Sequence, residues 1–321
     1  MSAETGPGGD SSLQAPGSGS HRNAVGLALL VTILWASSYI LVKIGLREIP
    51  PLTFAGMRYF LGFVVLFLLH RIQRRPVPRN LPPATWRAMF GLGLVAYALA
   101  PGAMFLSLSM LPVITANFVF QAGIPLLVAI SSGMFLGERT SLRQWFGVAL
   151  TIGGVYLAFP LAPAGGELLG ILLAGLAAAA GAASNQLTRF IMRDTHLRAQ
   201  DVTMITVGIG SSILLAIGLL VEPLPAISLE SVGLLLWLAV VNTAIAFTLW
   251  NIALRTLRAL EAGVIATAQV IEVTLMAWLI LGEPVGLYGA LAAVLILAGV
   301  ILVQTPSRVP RPAPISEPGA G

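Results

Sequence analysis

Ten apolar segments, each close to 20 residues long, are the feature that most restricts how this chain folds. Their approximate limits are 25–46, 52–70, 86–110, 113–136, 142–160, 168–190, 201–221, 229–254, 259–281 and 285–304. About 20 apolar residues in an α-helix cross the hydrocarbon core of a bilayer, whereas a membrane barrel uses alternating strands of about 10 residues. The sequence therefore predicts an all-α membrane protein with ten transmembrane helices, numbered here as segments 1 to 10.

Composition agrees with a membrane protein and excludes several kinds of site. Only 10% of the residues are charged and the mean hydropathy is +0.90, whereas a soluble domain carries about 25% charged residues. The chain has no cysteine, which excludes disulfides, thiolate metal sites and cysteine nucleophiles. His21, His70 and His196 lie at or beyond segment ends and are interpreted as loop residues, so no metal and no cofactor is predicted.

The positions of the basic residues predict the orientation in the membrane. With the N-terminus in the cytoplasm, most of the 18 basic residues fall on the inner side, and the outer loops 161–167 and 222–228 contain none. This asymmetry predicts that both termini are cytoplasmic in a plasma or inner membrane. The net charge of +5 is thus an orientation signal and no indication of nucleic-acid binding. The Gly-, Ser- and Pro-rich ends, residues 1–23 and 306–321, are predicted to be disordered tails.

An internal repeat divides the chain into residues 25–160 and 168–304. A shift of 145 residues aligns Gly137-Glu138 with Gly282-Glu283 and Gly154-Val155 with Gly299-Val300. Each repeat holds five segments, and an odd number means that the second repeat is inverted in the membrane relative to the first. Inverted repeats around a site near the bilayer midplane are a common transporter architecture.

Several motifs occur in an order that is specific although each alone is degenerate. They are Trp35-Ala-Ser-Ser-Tyr-Ile-Leu-Val-Lys43, Met57-Arg58-Tyr59, Pro125 followed by Gly137-Glu138, Trp250-Asn251-Ile-Ala-Leu254, and the run of segment 9 into Gly282-Glu283. On these residues the chain resembles an EamA-type member of the drug/metabolite transporter superfamily over residues 25–304. The resemblance implies movement of small organic solutes across a cytoplasmic membrane, often outward. Two positions differ, because the family's usual Asn is Ser38 here and its Glu-Pro pair is Gln269-Val270, with Glu272 one turn further on.

Glu272 is the most unusual residue of segment 9. It lies about 13 Å or more from either end of the run 261–281, at 1.5 Å per residue. An ionisable group at the bilayer centre costs about 2.5–3.5 kcal/mol on insertion scales and is a functional-site hypothesis by default. We interpret Glu272 as a cavity-facing group that exchanges a proton, so coupling export to proton entry, or that pairs with a cationic substrate. The alternative is a neutral carboxyl that hydrogen-bonds a neighbouring helix.

Polar and aromatic side chains inside several segments predict a substrate cavity. The candidate substrate-binding residues are Trp35, Ser38, Tyr39, Asn117, Gln121, Asn185, Trp250, Asn251, Gln269 and Glu272. The alternative for the polar members is hydrogen bonding between helices. Lys43, Arg58 and Glu272 are candidates for gating or coupling, although Lys43 and Arg58 are also placed to snorkel toward the interface. Glu138 and Glu283 follow a Gly between two segments, and we expect them to cap helices.

The leading prediction is a secondary active transporter that exports a small organic metabolite or drug-like solute by alternating access. Amino acids, nucleobases and similar solutes all fit a cavity of this kind. The predicted partners are this solute, the lipid bilayer and protons, with a monomer and a homodimer both left open. A channel or non-transporting receptor is the alternative class. An intramembrane enzyme is a weaker one, because only Glu272 among the catalytic residue types lies deep in a segment.

Overall fold

All regular structure in the described residues is helical. The computed structural model describes residues 18–74, 81–136, 141–158, 165–194, 197–224, 226–257 and 259–304. The helices are α1 Ser18–Gly45, α2 Pro51–Ile72, α3 Pro83–Met110, α4 Val113–Leu136, α5 Leu142–Ala158, α6 Gly165–Asp194, α7 Ala199–Val221, α8 229–253, α9 259–281 and α10 Leu287–Gln304. Their order and spacing follow the predicted apolar segments.

Eight of the helices in these ranges are long and apolar enough to cross a membrane. The prediction of an all-α, multi-pass membrane protein is therefore confirmed. α5 has 17 residues and is shorter than these eight helices. α4 has 24 residues, of which the side chains beyond Leu127 lie outside the described part. The count of ten transmembrane helices stays a prediction.

The helix ends differ from the predicted limits where polar residues continue a helix. α1 begins at Ser18, inside the range 1–23 that the composition assigns to a disordered tail. Hydropathy locates the apolar run of a helix, but the helix continues beyond that run wherever its backbone hydrogen bonds are still formed. Residues 1–17 and 305–321 lie outside the described ranges.

At the C-terminal end of α9, Gly282 adopts φ 69°, the left-handed conformation that commonly ends a helix.

Three helices contain a wide, π-helical turn that the apolar pattern did not predict. Such a turn occupies Leu94–Leu99 in α3, Val240–Ile245 in α8 and Ala277–Leu281 in α9. α9 also has an irregular turn at Ala268, between Ala259–Thr267 and Gln269–Met276. Segment 9, predicted to be continuous, is thus interrupted close to Gln269. π-turns inside α-helices frequently occur at functional sites.

Glycines allow the closest helix contacts. α5 and α10 run antiparallel, with Gly147 against Gly299 and Gly154 against Ala292. A Cβ on Gly154 would lie 2.9 Å from the carbonyl oxygen of Ala292 and from Cγ1 of Ile296. Small residues at such crossings let two backbones approach, which is how helices associate in lipid.

α1, α2 and α4 each pack against several other helices. α1 packs against α8 and α9, α2 packs against α3, α7 and α8, and α4 packs against α6, α9 and α10. α2 and α7 are antiparallel, because Thr53 contacts Gly218 near one end and Phe63 contacts Gly208 further along. Helices α1, α3, α7 and α9 finish at the same end of the molecule, and we call this the Glu283 end. The opposite end is called the His70 end.

Candidate functional site

Glu272 is held by α1. Its Oε1 accepts a hydrogen bond from Oγ1 of Thr32 over 2.9 Å, and its Oε2 is buried without a hydrogen-bond partner among the described residues. The same Thr32 hydroxyl lies 2.8 Å from the carbonyl oxygen of Leu29. A hydroxyl carries one proton, so when Thr32 donates to Leu29 it can only accept from Glu272, which requires a protonated carboxyl. The pair therefore suits both the charged and the neutral form of Glu272.

Thr32 was missed by the sequence reasoning, although a signal was available. It precedes Tyr39 by seven residues, and such residues share a face of an α-helix. Asn242 was missed as well. Its Nδ2 donates to the carbonyl of Leu34 and, over 3.1 Å, to Oγ of Ser37, so it joins the π-turn of α8 to α1.

Two glutamines join α4 to α9 beside this carboxyl. Nε2 of Gln121 donates to Oε1 of Gln269 over 3.0 Å, and Gln269 lies one turn before Glu272. Asn117, one turn before Gln121, has no exposed surface, and neither its Nδ2 nor its Oδ1 has a partner within the described ranges. A buried amide without partners is destabilising by about 1–3 kcal/mol. Asn117 is therefore a polar group with both a donor and an acceptor available.

Aromatic rings line the next face of α1. The ring centroid of Trp35 lies 5.1 Å from that of Trp250 and 5.7 Å from that of Phe247, the latter in an edge-on arrangement. Trp35 and Trp250, both candidates for the cavity, are thus in contact with each other. The side chain of Asn251, the neighbouring candidate, lies outside the described part of the structure.

Arg58 and three tyrosines occupy the space between α1, α2 and α3. Arg58 is 6% exposed, and its Cζ lies 5.2 Å from the ring centroid of Tyr59. The Tyr59 ring lies 6.2 Å from that of Tyr97. Tyr39 of α1 packs against the same apolar cluster as Tyr59. Arg58 is too deeply buried to snorkel and makes no ion pair with a described acid, and its role in gating or coupling stays a prediction.

Lys43 supports the end of α3. Its Nζ donates to the carbonyl oxygens of Leu108 and Leu111 over 2.6 and 2.8 Å. The last carbonyls of a helix lack partners within that helix, so a lysine satisfies them well. A cavity of about 530 Å³ adjoins this contact and is lined by Lys43, Arg47, Leu281 and Glu283, among others.

Glu283 caps a helix, but not the one that follows it. Its carboxylate accepts from the backbone N–H groups of Val113 and Ile114 over 2.7 and 3.0 Å, at the start of α4. Glu222, after α7, accepts from Leu52 and Thr53 in the same way at the start of α2. The sequence could identify a capping residue, because acids favour helix N-termini, but could not identify which helix it caps. Glu138 lies outside the described ranges.

Within the described residues, neither a hydrogen bond nor a ring contact joins Asn185 or Ser38 to another candidate. Asn185 is exposed on α6, and Ser38 is buried in α1 at 5% exposure. The contacts described above therefore connect α1, α2, α3, α4, α8 and α9, while α6 contributes no polar contact from its predicted residue.

His70 corrects the interpretation of the histidines as loop residues. It lies in the last turn of α2, is 7% exposed, and its Nδ1 lies 3.6 Å from Oδ1 of Asp201 on α7. No group of three or more metal-binding side chains occurs in the ranges that the structure describes. The histidine thus belongs to a helix contact at the His70 end.

Comparison with known families gives one match that covers most of the chain. The sequence profile of the EamA-like transporter family matches residues 22–159 and again residues 168–305. A solved crystal structure with 19% sequence identity has a TM-score of 0.65 to this structure. It covers 88% of this chain and 97% of that chain, and at this identity it supports the fold alone.

Two bacterial relatives illustrate the sequence similarity. The "Probable amino-acid metabolite efflux pump" of Escherichia coli (strain K12) is 27% identical over 288 residues, which is 86% of this chain and 93% of that protein. The "Uncharacterized transporter YvbV" of Bacillus subtilis (strain 168) is 29% identical over 307 residues, 92% of this chain and 95% of that protein.

Proposed function

Because this chain belongs to the EamA-like transporter family, we propose that it is a secondary active transporter that exports a small organic solute. In this proposal the solute crosses by alternating access, and Glu272 couples its export to the entry of protons. The name of the Escherichia coli relative supports the outward direction and an amino-acid-related solute.

The contact between Glu272 and Thr32 is the observation that carries the proposal. A carboxyl inside a membrane helix is energetically unfavourable, and such groups mark substrate or proton pathways. The single hydroxyl proton of Thr32 offers a partner to either protonation state of Glu272. The unpartnered Oε2 of Glu272 and the amide of Asn117 are further groups to which a polar solute can bind.

Alternating access requires two halves that exchange conformations, and three features support such halves. α2 and α7 are antiparallel, as are α5 and α10, which is expected of equivalent helices in inverted repeats. The π-turns at Leu94–Leu99 and Val240–Ile245 are 146 residues apart at both ends, since 240 − 94 and 245 − 99 both equal 146. We propose that residues 25–160 and 168–304 are inverted repeats of five spans each, with both termini in the cytoplasm.

Transport by the purified protein in liposomes tests this function. Vesicles loaded with a mixture of labelled amino acids, nucleobases and organic cations should release one class against its gradient when protons flow inward. Glu272→Gln keeps the size and an acceptor but cannot titrate, so it should retain solute exchange and lose the response to the pH gradient. Glu230, an exposed acid at the start of α8, provides the control Glu230→Gln. Unchanged coupling in Glu272→Gln would remove this residue from the mechanism, and purely downhill flux would indicate a channel.

Topology can be tested separately because the chain has no native cysteine. Gln73 and Ala226 are exposed residues beyond the ends of α2 and α7. Single cysteines at these positions should react with an impermeant maleimide from the cytoplasmic and the outer side, respectively. Labelling of both from one side would contradict the proposed arrangement.

A further inference from the structure

Arg58 is a buried cation that lacks an anion. Its side chain lies in the third turn of α2, about 10 Å from the start of that helix at Pro51. The residue is 6% exposed, and its Nε has no hydrogen-bond partner among the described residues. An unpaired charge in a membrane span is strongly unfavourable, and such residues usually face a pathway or bind a ligand.

The described acids near this depth already have other partners. Glu272 is bonded to Thr32, Glu222 caps α2 and Glu283 caps α4. Glu48 binds Ser228 and Ser231 beyond the Glu283 end of α1. None of them lies within ion-pair distance of Arg58, so in the described structure the guanidinium is not neutralised by a carboxylate of this chain.

The surroundings of Arg58 suit an organic ligand. The ring of Tyr59 lies beside the guanidinium at 5.2 Å, Tyr97 contacts Tyr59, and Tyr39 of α1 packs against the same apolar cluster as Tyr59. Phenol rings attract a cation by their faces and offer hydroxyl donors, but they supply no negative charge at neutral pH. Beyond the turn at Leu46–Pro50 the two helices diverge, α1 packing on α8 and α9 and α2 on α3, α7 and α8. The guanidinium thus lies where α1 and α2, although joined by a short turn, each pack against other helices.

We propose that Arg58 binds the carboxylate of the transported solute, with Tyr39, Tyr59 and Tyr97 around the remainder of the molecule. This inference rests on the proposed transport function and names the residue that selects for an acid group. A planar guanidinium forms paired hydrogen bonds to a carboxylate, which neither a tyrosine nor an amide can replace.

The Arg58 site is separate from the proton site. Arg58 lies on α2 beside Tyr59, whereas Glu272 lies on α9 and is bonded to Thr32 of α1. No hydrogen bond or ion pair joins the two groups within the described residues, and each can be changed without the other. Loss of carboxylate recognition at Arg58 and loss of proton coupling at Glu272 are therefore distinguishable.

The test compares matched ligands on the full-length protein purified in detergent. Thermal stabilisation is measured with a panel of L-amino acids and simple carboxylic acids, and with the carboxamide of each. We expect acids to stabilise the wild type more than their amides. Arg58→Gln should weaken acid binding by about tenfold to a hundredfold and leave amide binding unchanged. Arg58→Lys keeps the positive charge but lacks the planar guanidinium, so its affinity for acids should lie between those of the wild type and Arg58→Gln.

Arg87→Gln, at an exposed position of α3, is the matched control and should bind acids as the wild type does. Equal preference of the wild type for acids and amides would overturn the proposal, as would acid binding unchanged in Arg58→Lys and Arg58→Gln. If Arg58→Gln does not fold, the acid-to-amide ratio of the wild type and of Arg58→Lys still decides the matter. Transport of a solute without an acid group would leave the transport function standing and reject the role of Arg58. Absence of any transport would reject the function itself.

Discussion

Oγ1 of Thr32 on α1 lies 2.9 Å from Oε1 of Glu272 on α9 and 2.8 Å from the carbonyl oxygen of Leu29 in its own helix. The two side chains are 240 residues apart in the chain, so they connect the first and the ninth helix. A hydrogen bond contributes about 0.5–1.5 kcal/mol between neutral groups and about 1.5–3 kcal/mol when one group is charged. This contact is thus a substantial link between helices as well as a candidate element of proton coupling.

Removing the Thr32 hydroxyl should destabilise the protein through Glu272. Thr32→Val leaves Oε1 without its donor, and we expect a loss of about 1–3 kcal/mol in the free energy of unfolding. In Glu272→Met the same Thr32→Val change should cost much less, because the acceptor is gone. Denaturant unfolding of the four proteins in detergent measures this coupling. Thr248→Val, which removes an exposed hydroxyl bonded only to Ala244 in its own helix, is the control. Additive effects of Thr32→Val and Glu272→Met would contradict the contact.

The cap that Glu283 supplies to α4 should protect the backbone amides at the start of α4 from hydrogen exchange. Glu283→Ala removes the acceptor of the Val113 and Ile114 amides, and loss of such a cap typically costs about 0.5–2 kcal/mol. Hydrogen exchange of the peptide that begins α4 should accelerate, while the start of α2, held by Glu222, stays protected. Glu283→Gln, with one acceptor left, should lie between. If exchange accelerated at the start of α10 and not at the start of α4, Glu283 would cap α10, the helix that follows it in the chain.

Stability at acidic pH should depend on Glu48. The hydroxyls of Ser231 and Ser228 donate to its carboxylate, and these hydrogen bonds hold the pKa of Glu48 below its ordinary value. A depressed pKa stabilises the folded state above the ordinary glutamate pKa of about 4.3, and this stabilisation is lost as the pH falls further through the folded-state pKa. The melting temperature of Glu48→Gln should therefore decline less than that of the wild type in this acidic range.

Ser231→Ala should shift this pH dependence in the same direction, because it removes one of the two hydroxyls that donate to Glu48 over 2.7 Å. The control is Ser109→Ala, which removes an exposed hydroxyl that bonds only to Leu106 in its own helix. Parallel pH profiles of Glu48→Gln and the wild type would exclude a contribution from this carboxylate.

Neighbouring glycines on α5 provide a matched pair. A Cβ at Gly154 would lie 2.9 Å from the Ala292 carbonyl oxygen, whereas a Cβ at Gly153 meets nothing within 4 Å. Gly154→Ala should separate α5 from α10 and destabilise the protein by about 1–3 kcal/mol. Gly153→Ala should be neutral or stabilising by up to about 1 kcal/mol, because alanine favours the helix. Thermal unfolding of both variants checks this, and equal effects would show that α5 and α10 are not packed as described.

Much of the fold could be predicted because bilayer thickness fixes the length of an apolar helix. The apolar runs gave the order of the helices and the short turn at Leu111-Pro112. The depth of Glu272 singled out the carboxyl that α1 binds. Trp35 and Trp250 were predicted to line a cavity; their rings are in contact, and their role in substrate binding stays a prediction.

The partners of these residues could not be predicted, since they depend on how distant helices pack. Nothing local indicates that Gln121 bonds Gln269, or that Glu283 caps α4 rather than α10. His70 was interpreted as a loop residue because it lies at the polar end of an apolar run, yet Asp201 of α7 adjoins it. The π-turns were missed because hydropathy is insensitive to whether a backbone N–H bonds the fourth or the fifth preceding carbonyl.

The π-turn Leu94–Leu99 in α3 also determines where the deletion of one residue leaves the helix packing intact. A π-turn holds about one residue more than the α-helical turn it replaces. Loss of one residue there would convert the turn to α-helix and keep the side chains on both sides facing their present neighbours. The same deletion a few residues away would rotate the following half of the helix by about 100° and turn Phe105 away from its ring contact with Phe54.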